Sequence, residues 1–189
     1  MRIFVAVFPP REVQRDLIRA ARTIPADAFR LTAPERVHLT LRFLGETPPE
    51  LLPRITSSLE PMSRHEPFEA TTSHFGVFPS ARRAKILWSG IAEGAEQLAS
   101  LAHTAGALLE PEGFAREARP FVPHLTLGRS RRPVFLDPTT ADHPEHRFAV
   151  RKVHLVHSKP TGAGVTYETL AEYGLQLVSR PGSAGQHLN

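Results

Sequence analysis

No cysteine occurs among the 189 residues. That removes disulfides, zinc–thiolate sites, iron–sulfur clusters and thiol nucleophiles in one step. Lysine is nearly missing, present only as Lys85, Lys152 and Lys159, and the chain has neither a glycine-rich phosphate loop nor a Walker-type lysine motif. No apolar run approaches the roughly 18–20 residues of a membrane span. The opening Met-Arg-Ile-Phe-Val-Ala-Val-Phe-Pro-Pro is too short, and too soon followed by charge, for a secretory signal. The expectation is a soluble, cytoplasmic protein, and the lack of cysteine fits a reducing compartment.

Hydrophobic residues make up 41% and charged residues 22% of the chain, as in an ordinary globular protein. At this length roughly 70% of the unfolded surface can be buried, so folding requires neither disulfide nor metal. The net charge is +4 and the basic residues are nearly all arginine, whose planar fork suits phosphate. Arginine bias in the genome accounts for that excess as readily as an anionic partner does.

The hydrophobic pattern predicts strands over residues 2–8, 37–44, 68–78, 84–91, 120–128, 148–157 and 165–177. Helices are expected over 11–23, from Pro48-Pro49 to about 60, and over 93–109. A Pro79-Ser80 turn makes a hairpin of the strands over 68–78 and 84–91, and a turn at 161–164 joins the last two. Strands outnumber helices, which implies an α+β fold with antiparallel sheets and helices packed outside. A single domain over 1–179 is expected, with a disordered tail over 180–189.

The chemistry lies in a repeat. Residues 38–41 are His-Leu-Thr-Leu and so are residues 124–127, nearly half the chain apart. With 10 histidines in the chain, chance would produce such a match on the order of 0.015 times. In a strand, His38 and Thr40 share one face while Leu39 and Leu41 point to the other, and His124 and Thr126 share a face in the same way. Two such strands brought together form a cleft with two groups that titrate near neutrality and two hydroxyl donors. That set suits the handling of a phosphate. A lone histidine on a strand is more often merely solvated; a matched pair is not.

The sequence resembles the 2H phosphoesterase superfamily, in particular its bacterial RNA 2′,3′-cyclic phosphodiesterase branch, also called 2′-5′ RNA ligase. The likeness rests on the opening Arg-Ile-Phe-Val-Ala-Val, on His-Leu-Thr-Leu-Arg-Phe-Leu-Gly at 38–45 and on Phe-Gly-Val-Phe-Pro at 75–79. It extends to the Leu-Trp-Ser-Gly segment ending at Gly90, Phe-Val-Pro-His-Leu-Thr-Leu-Gly-Arg at 121–129 and Gly-x-x-Tyr at 164–167. The resemblance implies a bilobal fold, two antiparallel sheets with outer helices around a central cleft, and both motifs facing that cleft. It implies His38 as proton donor, His124 as proton acceptor, and hydrolysis of RNA 2′,3′-cyclic phosphate ends to a 2′-phosphate, with 2′-5′ ligation as the reverse side reaction. The residues alone do not assign acid and base between two equal motifs.

Thr40 and Thr126 are expected to hold the phosphate. The resemblance places Phe43 and Arg129 near the substrate's terminal nucleotide or phosphate. Each lies five residues after its histidine, which ideal alternation puts on the wrong face; a strand end or a bulge, permitted at Gly45 and Gly128, would restore them. No metal or other cofactor is expected, because a paired acid and base supply both proton transfers. The expected partner is RNA ending in a 2′,3′-cyclic phosphate, with no membrane and a monomeric chain.

Competing readings are a cyclic phosphodiesterase of small nucleotides and a non-catalytic module that binds RNA ends. His154 and His157 stand three apart, on opposite strand faces, and make a poor metal pair. Trp88 and Phe75 are expected in the core. Arg116, Arg119, Arg129, Arg131 and Arg132 form a basic stretch that reads either as solvated surface or as a contact to RNA backbone.

Overall fold

The computed structural model describes residues 1–24, 29–162 and 164–177. The tail expected over 180–189 lies outside the described residues, as does Ala163 in the last turn. Nine strands are described: β1 (Arg2–Val7), β2 (Phe29–Leu31), β3 (Leu39–Glu46), β4 (Phe68–Phe78), β5 (Ala84–Ile91), β6 (His124–Val134), β7 (Arg147–Val150), β8 (Lys152–Thr161) and β9 (Gly164–Gly174). Three α-helices accompany them: α1 (Arg11–Ala21), α2 (Leu52–Ser58) and α3 (Ala95–Leu109). None of these helices is long and apolar enough to cross a membrane.

Every described strand pairing is antiparallel. The order β7-β4-β5-β6-β3-β1-β8-β9, with β2 also on β6, divides at its middle into two lobes. One lobe holds β7, β4, β5 and β6; the other holds β3, β1, β8 and β9. They meet at a single pair of partners, Leu39 and Leu125, both wholly buried. This is the bilobal α+β arrangement expected from the resemblance, and the repeated tetrapeptides form the seam.

One apolar core underlies both lobes. Ile3, Val5 and Val7 of β1 point into it with Leu39, Leu125 and Leu127, and the helices contribute Leu17, Ile18, Ile55, Leu98 and Leu101. The opposite face of β1 is apolar too, where Phe4 and Ala6 pack with Val156. Buried Gln14 of α1 donates through its side-chain amide to the Val37 carbonyl at 2.9 Å, which pins the backbone just ahead of His38.

Both motif strands carry an extra residue at the same place. In β3, Ala6 stands opposite Thr40 and Val5 opposite Arg42, so Leu41 has no partner on β1. In β6, Trp88 stands opposite Thr126 and Leu87 opposite Gly128, so Leu127 has no partner on β5. Each bulge reverses the alternation beyond it. Phe43 therefore shares the face of Thr40, and Arg129 that of Thr126. The bulges fall on the second leucine of each repeat, which turns two consecutive residues inward: Leu41 with Arg42, and Leu127 with Gly128. A second extra residue, Leu44, precedes Gly45, whose φ of 75° is a left-handed conformation suited to glycine.

Three expectations differ from the structure. The strand expected over 148–157 is two, β7 and β8, parted at Arg151: β7 pairs with β4 and β8 with β1. The chain passes from one lobe to the other there, and no glycine or proline marks the crossing. The strand expected over 120–128 begins only at His124 and runs on to Val134, because Arg129 and Ser130 pair with β2, three residues too few to show a period in the sequence. The helix expected after Pro48 opens as a 3-10 turn, Pro49–Leu51, and is α-helical only over Leu52–Ser58.

Because the buried leucine pair joins the strands of the two lobes over their shared core, truncation there removes packing on both sides. Leu125→Ala is expected to lower the unfolding free energy by about 2–5 kcal/mol, read as a lower urea midpoint at unchanged slope. A change below 1 kcal/mol would show that the seam does not carry that packing.

Candidate active site

His38 and His124 lie on either side of the seam. Continuing the Leu39–Leu125 register by one residue sets His38 beside Thr126 and Thr40 beside His124. The two histidines are then diagonal neighbours across the seam, on one face of it. A local two-fold relation follows from the register itself, since exchanging the strands exchanges the motifs.

Each imidazole is oriented in the same way. His38 Nδ1 lies 2.7 Å from the carbonyl of Arg36 and His124 Nδ1 lies 2.7 Å from the carbonyl of Val122, in both cases two residues upstream. A carbonyl only accepts, so Nδ1 carries the hydrogen and donates, and Nε2 is the nitrogen free for proton transfer. At His38 the Thr40 hydroxyl donates to Nε2 at 3.0 Å.

The rings stand in aromatic walls. Phe4, Phe8 and Tyr167 surround His38, with ring centroids 4.8, 5.5 and 5.2 Å away. Phe78 and Trp88 flank His124 at 5.1 and 6.1 Å. Burial in these walls lowers the pKa of His38 to about 4, the Arg36 carbonyl raises it in part, and the positive fields of Arg129 and His124 lower it further. His124 is shifted the same way by burial first, opposed by the Val122 carbonyl, with Arg129 adding to the decrease. Arg129 acts on both rings, in keeping with its place on their face. Tyr167 is held protonated by burial, against the fields of Arg36, Arg129 and Arg2.

All six residues named from the sequence come to one face of the seam. His38, His124, Thr40 and Thr126 form its centre; Arg129 lies on the same face, and its positive charge acts on both histidines. Phe43 lies further out, 44% exposed, with the Arg2 guanidinium 5.1 Å above its ring. Phe75 is in the core as expected, but Trp88 is only half-buried and belongs to the wall of His124. Arg116 and Arg119 do not join the site: they border a separate hollow with Leu41 and Arg42 on the other side of the sheet.

The sequence reading missed the two carbonyls, the walls of Phe4, Phe8 and Phe78, and the field of Arg36. A strand apolar on both faces was a signal for Phe4, and Phe8 continues that face one residue beyond β1.

Two imidazoles with matched tautomers, the Thr40 hydroxyl beside one of them and the field of Arg129 on both make this a candidate two-histidine phosphoesterase site. The family model of the 2′-5′ RNA ligase superfamily matches residues 9–161, and the chain belongs to that superfamily, in its branch of RNA 2′,3′-cyclic phosphodiesterases. The RNA 2′,3′-cyclic phosphodiesterase of Thermus thermophilus is 34% identical over 188 residues, covering 93% of this chain and 91% of that protein. The Aquifex aeolicus protein of the same name is 27% identical over 186 residues, covering 93% and 97%. Among solved structures, Escherichia coli LigT complexed with 3′-AMP superposes with a TM-score of 0.80 at 26% identity, covering 93% of this chain and 98% of that one.

The walls and Arg129 lead to a direct measurement. In an NMR titration both imidazoles are expected to titrate below 6.5, His38 near 4, and Arg129→Gln to raise both. Because the folded-state value of His38 is depressed, its contribution to stability is complete above pH 6.5 and declines as pH falls toward 4. Either ring titrating above 6.5 would contradict this account of the site.

Proposed function

We propose that this protein hydrolyses RNA 2′,3′-cyclic phosphate ends to a 2′-phosphate by paired general acid and base catalysis. The observation that carries the reading is the shared orientation of His38 and His124, each with Nδ1 committed to a carbonyl and Nε2 left for proton transfer across one seam. Relatives named as RNA 2′,3′-cyclic phosphodiesterases support the substrate class.

In the proposed reaction a water oxygen attacks phosphorus and its proton passes to Nε2 of His124. The bond from phosphorus to the ribose 3′ oxygen breaks, and Nε2 of protonated His38 gives that oxygen a proton. The product is a 2′-phosphate with a free 3′-hydroxyl. The carbonyls of Arg36 and Val122 stabilise the imidazolium at whichever ring is charged. Thr40 and Thr126 donate to the non-bridging oxygens, and Arg129 balances their charge as it develops. In the free protein Arg129 and burial hold His38 neutral; the negative charge of a bound cyclic phosphate opposes both and favours its protonation. Phe43 lies where the terminal nucleotide would rest.

Acid and base suffice for both proton transfers, so no metal or nucleotide cofactor enters the scheme. Run backwards with a 5′-hydroxyl in place of water, the same steps join RNA ends through a 2′-5′ bond. The working unit is one chain, as a single bilobal catalytic domain over 1–179, because each lobe supplies one motif. The cytoplasm is where such RNA ends would be met.

The test uses a short RNA ending in a 2′,3′-cyclic phosphate with excess EDTA. Wild type is expected to release only the 2′-phosphate, and His38→Ala and His124→Ala to lower turnover by roughly 10²–10⁴-fold. Thr126→Val is expected to cost roughly 10²-fold in kcat. No turnover by wild type, or undiminished turnover in both histidine variants, would overturn the proposal.

A further inference from the structure

The two motifs are equal in sequence but not in what stands behind them. Each imidazole gives its Nδ1 hydrogen to the carbonyl two residues upstream, so the place of that carbonyl decides where Nε2 points. For His38 the carbonyl belongs to Arg36, the last residue of a 3-10 turn, Pro34–Arg36, which the Val37 N–H closes on the Pro34 carbonyl at 3.0 Å. A lone turn of this kind has poor hydrogen-bond geometry and needs support.

Support comes from both sides. Gln14 of α1 donates to the Val37 carbonyl at 2.9 Å. The Arg36 guanidinium donates through Nη1 to the Val165 carbonyl of β9 at 3.0 Å, across 129 residues of chain. Arg36 thus acts as a brace, its side chain fixed to β9 and its own carbonyl on the His38 ring. Its Nε is buried, which lays the head of the side chain against the strand. Gly164, just ahead of Val165, has a φ of 136°, a conformation that favours glycine, and a β-carbon there would stand 3.5 Å from Nη1.

The second motif lacks this brace. Val122 lies in an irregular stretch, residues 114–123, and among the described residues His124 is the only side chain hydrogen-bonded to residues 120–123. The difference falls on the ring that needs support more. The charged and titratable groups acting on His38 are Arg129 and His124 of β6, with Tyr167 of β9 against its ring and His154 of β8 beyond Phe8. No carboxylate is among them. The Arg36 carbonyl is the one neighbour that favours the charged ring, and a buried imidazolium without an acceptor is costly.

We propose that Arg36 is a positioning residue for the acid: braced on β9, it holds in place the carbonyl on which a charged His38 depends. The inference rests on the reading of His38 as proton donor, and it gives a structural reason for the first motif to supply the acid. The guanidinium also borders the groove beside Tyr167, so a direct hold on the substrate is the rival role.

The experiment uses Arg36→Met, which removes the donor and the charge, Arg36→Lys, which keeps both, and Gly164→Ala, which strains β9 at the accepting carbonyl. In an NMR titration of the free protein, Arg36→Met is expected to move His38 below its wild-type value and to leave His124 in place. Loss of positive charge alone would move His38 upward, so the sign separates a brace from a field. On RNA with a 2′,3′-cyclic end, Arg36→Met should lower kcat roughly tenfold, the effect of weakening one hydrogen bond to a charged group, with KM unchanged. The high-pH limb of kcat/KM should move to lower pH while the low-pH limb stays. Arg36→Lys should recover most of kcat. Gly164→Ala should shift the same limb in wild type and add nothing to Arg36→Met, as two cuts of one contact do. Should Arg36→Met fail to fold, Gly164→Ala carries the NMR reading alone. A raised KM with kcat and the limb unchanged would make Arg36 a substrate contact and overturn the brace, as would a His38 titration that stays or rises. If wild type turns over no RNA, the acid reading falls, and the His38 titration still decides whether Arg36 holds the ring.

Discussion

Among the described residues, the pairing of Leu39 with Leu125 is the one strand pairing that joins the two lobes, and the site depends on it. Continued by one residue, the register of that pair sets His38, just ahead of β3, across from Thr126 and His124 across from Thr40, so four polar side chains converge. Rigid strands hold such groups more narrowly than loops do. The leucines are buried beneath, and a slip of one residue would turn them outward and the histidines inward. Apolar burial and the arrangement of the site are thus satisfied by one alignment.

The same economy explains the bulges. Strict alternation would give each motif strand only its histidine and threonine on the cleft face. One extra residue at Leu41 and one at Leu127 return Phe43 and Arg129 to that face. Burial lowers the pKa of both imidazoles and Arg129 adds to the decrease, while the backbone carbonyls two residues upstream oppose it. The empty site is therefore poised with neutral rings, and an anionic phosphate supplies what the proposed acid needs to become charged. A positive field that discourages protonation in the free protein attracts the substrate that reverses it.

Much of this was legible in the sequence because it depends on period-two patterning. The repeated His-Leu-Thr-Leu marks buried leucines and cleft-facing polar residues through alternation alone, and β4 and β5 were bounded correctly by their turns. The odd offset of Phe43 and Arg129 called for a strand end or a bulge, expected at Gly45 and Gly128; bulges restore them, but at the second leucine of each repeat. What could not be read depends on partners distant in the chain. The split between β7 and β8 at Arg151 reflects a change of neighbouring lobe, and β2 is three residues long and held by β6. Trp88 resembles a core residue until Gly76, on the strand beside it, gives its ring room to lie against the cleft wall. The carbonyls that orient the histidines leave no trace in side-chain chemistry at all.

The proposed division of labour between two otherwise equivalent histidines is most directly tested by how kcat/KM depends on pH in wild type and in the residual activity of each alanine variant. Wild type should give a bell with its maximum on the acid side of 6.5, since both rings are shifted downward. With His124→Ala the rise from low pH should vanish and the fall toward high pH remain, because only the acid is left to titrate. With His38→Ala the fall should vanish and the rise remain. Loss of the same limb in both variants, or of neither, would contradict the assignment of His38 as acid and His124 as base.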